Sequence, residues 1–73
     1  MSSELLDRLM ILEPDVRPIL RDGIVAKRNR TYEFNLFDVT LDFSAPTARI
    51  DDVLEPDVSG TYPMTTLEAA LEA

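Results

Sequence analysis

The sequence contains no cysteine, no histidine and no tryptophan, and only two of its 73 residues are glycine. Without cysteine, the chain can form no disulfide bond and no zinc site with thiolate ligands. Without histidine, it lacks both the commonest other zinc ligand and the usual general base. The isolated glycines, Gly23 and Gly60, cannot form a glycine-rich phosphate-binding loop. These absences exclude most of the usual catalytic centres.

The remaining side chains favour a function other than catalysis. A serine or threonine nucleophile needs a base to activate it, and histidine is not available for that role. Paired carboxylates can exchange protons, but they need a cleft, which so short a chain rarely encloses. The sequence therefore predicts no enzyme activity, no cofactor and no catalytic residue.

The densest group of carboxylates gives little support for a metal site. Asp51, Asp52, Glu55 and Asp57 carry oxygen ligands of the kind that Ca²⁺ prefers. Their spacing does not follow the alternating ligands of an EF-hand loop, and the central glycine of that loop is missing. We expect a solvated acidic loop with no bound metal.

Length and hydropathy predict one small domain over residues 1–73. A domain of this size buries only about 60% of the surface that its unfolded chain exposes, so its stability depends on good packing or on a partner. No segment approaches the roughly 18 apolar residues that span a bilayer. Residues 1–4 lack the positive start of a signal peptide. We expect a soluble cytoplasmic protein that does not contact membranes.

The net charge of −7 is concentrated in the second part of the chain. Residues 1–30 carry six basic and five acidic side chains, whereas residues 31–73 carry one basic and nine acidic side chains. Such a surface repels nucleic acid phosphates and anionic lipids, but it suits a basic protein surface. The simpler explanation, that acidic residues keep a small protein soluble, stays open.

An N-terminal helix is predicted from leucines at helical spacing. Leu5, Leu6, Leu9 and Leu12 form one apolar face, and Pro14 ends the helix near Leu12.

A short C-terminal helix is predicted from Thr65 and Glu68, which form a capping-box pattern, and it continues through Leu71. Because Pro18 prevents a long second helix, we expect residues 14–23 to form one or two short turns.

An antiparallel sheet is predicted between these helices. Residues 24–25 begin a short strand, and residues 27–30, with the sequence Lys-Arg-Asn-Arg, form the polar tip of a hairpin. The alternation of apolar residues then changes parity between Leu36 and Phe37, which exchanges the two faces of a strand. Either a long bent strand with a bulge near residues 35–38, which we favour, or two strands joined by a tight turn explains this change.

The segment 47–54 is ambiguous between a short edge strand and a helical turn. Pro56, Gly60 and Pro63 predict a loop over residues 55–64. The expected fold is therefore α+β. A small antiparallel sheet of two to four strands, with a long bent central hairpin, is flanked by an N-terminal helix and a short C-terminal helix.

The pentapeptide Leu-Glu-Pro-Asp-Val occurs twice, at residues 12–16 and 54–58. The interpretation that we favour is a local turn in which leucine packs, proline sets the first corner, aspartate bonds to the backbone and valine returns to the core. A second interpretation is a pair of exposed acidic hooks for a basic partner, Glu13 with Asp15 and Glu55 with Asp57. A third, remote internal duplication, gains no clear support from the flanking residues.

Three groups of side chains are candidates for partner binding. The acidic group steers the encounter, two aromatic side chains act as exposed anchors, and two arginines of the basic cluster contact an acidic patch. The simpler role of the basic cluster is to protect a sheet edge from aggregation. The predicted residues are Asp51, Asp52, Glu55 and Asp57, then Phe37 and Tyr62, then Arg28 and Arg30.

These features favour a binding protein that regulates a larger machine by occupying a basic surface. By analogy with small acidic proteins of bacteriophages, the hypothesis is a phage-encoded inhibitor of a nucleic-acid-handling enzyme such as RNA polymerase or a nuclease. The alternatives are a structural subunit of a homo-oligomer or phage particle, and an antitoxin or immunity protein. Direct nucleic acid binding is not expected.

Overall fold

A computed structural model describes residues 4–55 and 57–72. Four antiparallel strands form a sheet in chain order, so that each strand pairs with the next and β1 and β4 are the two edges. This arrangement confirms the α+β fold, the N-terminal helix and the short C-terminal helix. The elements are α1 (Glu4–Leu12), α2 (Val16–Val25), β1 (Arg30–Glu33), β2 (Phe37–Asp42), β3 (Thr47–Asp52), β4 (Ser59–Pro63) and α3 (Met64–Glu72).

The core lies between the three helices and one face of the sheet. Buried and partly exposed side chains alternate along β2 and β3, as expected for a sheet that is covered on one side. The buried apolar side chains of the helices and strands form a single cluster. Its fully buried members include Leu9, Leu20, Phe37, Val39, Leu41, Ile50 and Leu67.

The other face of the sheet is polar, and we call it the open face. It carries four carboxylates and one arginine on β1 to β3. Glu33 lies opposite Asp38, and Asp38 lies opposite Asp51, so three carboxylates follow one another across three strands. Like charges in these positions destabilise a sheet. Asp42 and Arg49 complete the charged residues of this face.

The helix α2 was not expected, and the predicted strand at residues 24–25 is wrong because both residues belong to this helix. Pro18 is its third residue, where a backbone N–H has no intrahelical acceptor, so proline is tolerated. Gly23 is buried within the helix, and glycine is required there because the Cβ of any other residue would collide with the hydroxyl of Tyr32.

The basic segment 27–30 is likewise not a hairpin tip, since it ends α2 and leads into β1. Lys27 has a φ of 53° and donates its N–H to the carbonyl of Ile24 at 3.1 Å. Arg28 donates to the carbonyl of Gly23 at 3.1 Å. These two bonds form a Schellman motif, with lysine in the left-handed position that glycine usually occupies.

The parity change at residues 36–37 arises from a turn rather than from a bulge. β1 ends at Glu33 and β2 begins at Phe37, and the N–H of Phe34 bonds to the carbonyl of Phe37 at 2.8 Å. The bent strand that we favoured is therefore wrong, and the second alternative, two strands joined by a tight turn, is confirmed.

The ambiguous segment 47–54 forms β3 up to Asp52, and the predicted loop 55–64 contains β4. Within the described residues, no helix has the length and apolar character required to cross a membrane.

Candidate functional site

Three connections meet at one end of the sheet. These are the α1–α2 junction, the β1–β2 turn and the β3–β4 connection. The side chain of Glu13, in the first connection, accepts the N–H of Leu36, in the second, at 3.0 Å. The carbonyl of Leu36 accepts the N–H of Val53, in the third, at 3.0 Å. Direct hydrogen bonds thus tie the three segments together.

Most of the exposed large apolar side chains lie at this end of the molecule. Six such side chains occur among residues 4–55 and 57–72, and five of them lie on these connections or on the adjoining helix turns. Only Val25 lies elsewhere, at the opposite end of α2. We call the five residues the apolar end: Ile11 (78% exposed), Leu12 (45%), Ile19 (41%), Val53 (47%) and Leu54 (73%).

Exposed carboxylates border the apolar end. Asp15 lies in the α1–α2 junction, and Glu55 and Asp57 lie in the β3–β4 connection beside Leu54. Arg8 forms an ion pair with Asp52, the last residue of β3, at 3.3 Å. Apolar side chains surrounded by acidic groups suit a partner whose contact surface is apolar at its centre and basic at its border.

Asp52 organises this end and does not present a free charge. Its side chain is 5% exposed and contacts Arg8. The same carboxylate accepts the N–H groups of Leu54 at 2.9 Å and of Glu55 at 3.2 Å. Asp52 therefore shapes the β3–β4 connection that displays Leu54, and the expectation that it lies in a solvated acidic loop is wrong.

Both copies of the repeated pentapeptide lie at the apolar end. In each copy the valine N–H bonds to the glutamate carbonyl, Val16 to Glu13 at 3.2 Å and Val58 to Glu55 at 2.8 Å. The turn interpretation is confirmed in this respect. Its packing detail is wrong, because the leucine of each copy is exposed.

The two glutamates of the repeat have different surroundings. Glu13 is only 2% exposed, whereas Glu55 is exposed. Glu13 is thus a structural acceptor and cannot form an exposed hook with Asp15. The proline of the second copy, Pro56, lies outside the described residues.

The predicted aromatic anchors do not lie at the apolar end. Phe37 is fully buried in the core, with the guanidinium of Arg8 5.6 Å from its ring centre, so its predicted exposure is wrong. Tyr62 is partly buried on β4. Of the predicted acidic group, Asp51 lies on the open face and pairs with Arg49 at 3.0 Å.

The predicted arginines lie at the opposite end of the sheet from Glu55 and Asp57. Arg28 follows α2, and Arg30 begins β1 with its guanidinium 5.1 Å from the ring centre of Tyr32. The structure therefore separates the predicted partner-binding residues into distinct places, and only Glu55 and Asp57 join the apolar end.

The apolar side chains of this end were missed in the sequence. Ile11 falls outside the face formed by Leu5 and Leu9, and this was an available signal for exposure. Val53 and Leu54 interrupt an otherwise acidic segment. The expectation of a solvated acidic loop does not distinguish these two apolar residues from their neighbours.

Among the described residues, no group of three or more aspartate and glutamate side chains is arranged to hold a metal ion. No protein-family model, curated protein or solved structure is significantly similar to this chain.

Proposed function

We propose that the protein is a cytoplasmic protein-binding regulator, in its simplest form an inhibitor, that docks its apolar end onto a basic surface of a larger protein. The observation that carries this proposal is the clustering of five exposed large apolar side chains beside Asp15, Glu55 and Asp57. Exposed large apolar side chains that gather at one end of a small protein are typical of an interaction site. Proteins that handle nucleic acid, such as RNA polymerase or a nuclease, offer the basic surface required, and a phage origin fits this role by analogy.

The two kinds of side chain contribute differently to binding. Burying an exposed leucine or isoleucine stabilises a complex by on the order of 1.5–3 kcal/mol when burial is complete, so Ile11 and Leu54 are the principal anchors. The surrounding carboxylates raise the association rate through long-range attraction, and this contribution weakens as salt rises.

The test begins with affinity capture from a lysate of the native host and identification of a stoichiometric partner, followed by binding measurements with purified components. Ile11→Ser and Leu54→Ser should each weaken binding about tenfold or more, since each removes over 1.4 kcal/mol of apolar contact. Val25→Ser is the matched control, because Val25 is 83% exposed at the opposite end. Equal loss in all three variants, or failure to recover any partner, would contradict the proposal.

A second pair of variants tests the electrostatic part. Glu55→Lys with Asp57→Lys should lower the association rate and reduce its dependence on salt, because two attractive charges become repulsive. Asp22→Lys with Glu68→Lys is the matched control, since both residues are exposed on helices. An equal effect of the two double variants would show that only the net charge matters.

Light scattering separates this proposal from self-association. Two copies that met through their apolar ends would also bring together the carboxylates of those ends and two net charges of −7. We therefore expect a monomer at micromolar concentration. A dimer that Leu54→Ser dissociates would instead support a homo-oligomeric subunit.

A further inference from the structure

The main chain of the edge strand β4 bonds to β3 at every second residue. Asp52 donates its N–H to the carbonyl of Val58 at 3.0 Å. In an antiparallel pair, hydrogen-bonded positions recur every two residues from such a bond. The register therefore makes Gly60 and Tyr62 the residues that bond to β3.

The intervening residues direct their main-chain groups away from the sheet. Ser59 and Thr61 present both an N–H and a C=O at the outer edge, whereas Pro63 has no N–H to present, and its carbonyl lies at the start of α3. Pro63 therefore removes no bond to β3, which explains why proline is tolerated at this position. The result is a short edge with two outward donors and two outward acceptors, on Ser59 and Thr61.

A groove of about 990 Å³ runs beside this edge. β4 forms one wall with Tyr62, Val58 lines the groove just before this strand, and α1 contributes Leu5 and Arg8. The groove thus offers apolar contact on one side of the strand. On its other face, β4 is uncharged, with Ser59 beside Asp51 and Thr61 beside Arg49 of β3. Asp38 and Asp42 of β2 lie one strand further in, so carboxylates outnumber arginine on the part of the open face that adjoins this edge.

We propose that the β4 edge accepts an extended segment of a partner protein as a fifth strand, with alternating apolar and basic side chains. Main-chain groups of the segment would bond to Ser59 and Thr61. Its apolar side chains would enter the groove, and its basic side chains would lie over the acidic open face. This inference rests on the proposed function in assuming a protein partner, but it uses a different surface from the apolar end.

An extended segment of opposite charge fits this edge better than a second copy of the chain. Two copies joined at β4 would align two acidic open faces in one sheet, and each chain carries a net charge of −7. The other edge strand, β1, is one residue shorter, and none of its residues lines the groove that would receive the apolar side chains.

The first experiment is amide hydrogen exchange of the full ¹⁵N-labelled chain with the peptide acetyl-(Lys-Val)₃-amide as probe. In the free protein, Ser59 and Thr61 should exchange fast, while Gly60 and Tyr62 exchange slowly. When about nine-tenths of the protein is bound, exchange at Ser59 and Thr61 should slow about tenfold, because only the free fraction exchanges. Unchanged exchange at millimolar probe, or protection confined to β1 or the apolar end, would overturn the proposal.

Variants test whether the outward donor matters. Thr61→Pro removes that N–H without removing a bond to β3, and it should lower the affinity for the probe about tenfold or more. Thr61→Val is the control: it keeps the N–H donor and should bind the probe as the native chain does. A probe methylated on alternate backbone nitrogens should lose binding to the native chain, which makes this result independent of the folding of any variant.

Three further outcomes test this proposal, and the first of them separates it from the proposed function. Leu54→Ser should leave probe binding unchanged, so failure at β4 and failure at the apolar end are distinguishable. Equal binding by the Thr61→Pro and Thr61→Val chains would refute strand addition. A stable dimer that protects Ser59 and Thr61 without probe would refute the choice of a partner segment.

Discussion

The repeated pentapeptide provides an internal control for the effect of burial on a glutamate. Glu13 and Glu55 occupy the same position in identical five-residue segments, and each carbonyl accepts the valine N–H three residues later. Only Glu13 is buried, and only its carboxylate is engaged by the N–H of Leu36. We therefore predict a large difference between Glu13→Ala and Glu55→Ala in the free energy of unfolding.

The magnitude follows from the hydrogen bond that is lost. A hydrogen bond to a charged group contributes about 1.5–3 kcal/mol, and the N–H of Leu36 would lose its acceptor. We expect Glu13→Ala to lower the free energy of unfolding by about 2 kcal/mol. A domain of 73 residues has roughly 4–11 kcal/mol of stability, so this is a substantial share. Glu55→Ala should change stability by less than about 0.5 kcal/mol.

Urea denaturation followed by circular dichroism measures both variants. The slope for so small a protein is about 1 kcal/mol per molar urea, so Glu13→Ala should lower the midpoint by about 2 M. Glu13→Gln keeps an acceptor oxygen for Leu36 and should lose less than Glu13→Ala. Equal midpoints for Glu13→Ala and Glu55→Ala would refute the reasoning. Burial and the bond to Leu36 would then make no difference to what the glutamate contributes to stability.

Three other substitutions test separate features of the fold by the same assay. Lys27→Gly should stabilise the protein by about 1 kcal/mol, since lysine at a φ of 53° carries a cost that glycine avoids, and no gain would contradict the Schellman assignment. Asp38→Asn should stabilise it by about 0.5 kcal/mol at low salt, because two opposing carboxylates lose a like charge, and the gain should shrink at 1 M salt. Arg21→Met should cost about 1 kcal/mol through loss of the 2.7 Å bond to the carbonyl of Leu71, and an unchanged midpoint would show that this bond contributes nothing.

The elements with a strong local period were predicted from the sequence. Leu5 and Leu9 identified α1, and the alternation that follows Leu36 identified β2 as a strand, although Phe37 was wrongly expected to be an exposed anchor. These predictions succeeded because a single period persists over each element and the apolar face is the face that is buried.

The helix α2 was missed because its local signals conflict with its tertiary environment. Pro18 and Gly23 both argue against a helix, yet the first occupies the initial turn and the second makes room for Tyr32. Arg17 and Arg21 also hold α2 to α3, by donating to the carbonyls at the C-terminus of α3. These contacts span about 50 residues or more and leave no periodic trace in the sequence.

β4 was missed for a related reason. Gly60 and Pro63 are typical of loops, and only the hydrogen-bonding parity of an edge strand makes proline harmless there. The candidate site was predicted in part: Glu55 and Asp57 lie where an acidic loop was expected. Its apolar members were not predicted, because exposure depends on which segments the fold brings together.

The repeat shows how far local sequence can specify a site. The two identical segments form the same local hydrogen bond, since in each copy the valine N–H bonds to the glutamate carbonyl three residues before it. Burial is not repeated: Val16 is 1% exposed and Val58 is partly exposed, although both end the same pentapeptide. The second copy thus retains the turn but presents its glutamate, Glu55, to solvent, whereas the leucines of both copies, Leu12 and Leu54, are exposed. Local sequence therefore specifies the turn, and the packing of the rest of the chain decides which of its side chains are available for the contact proposed above.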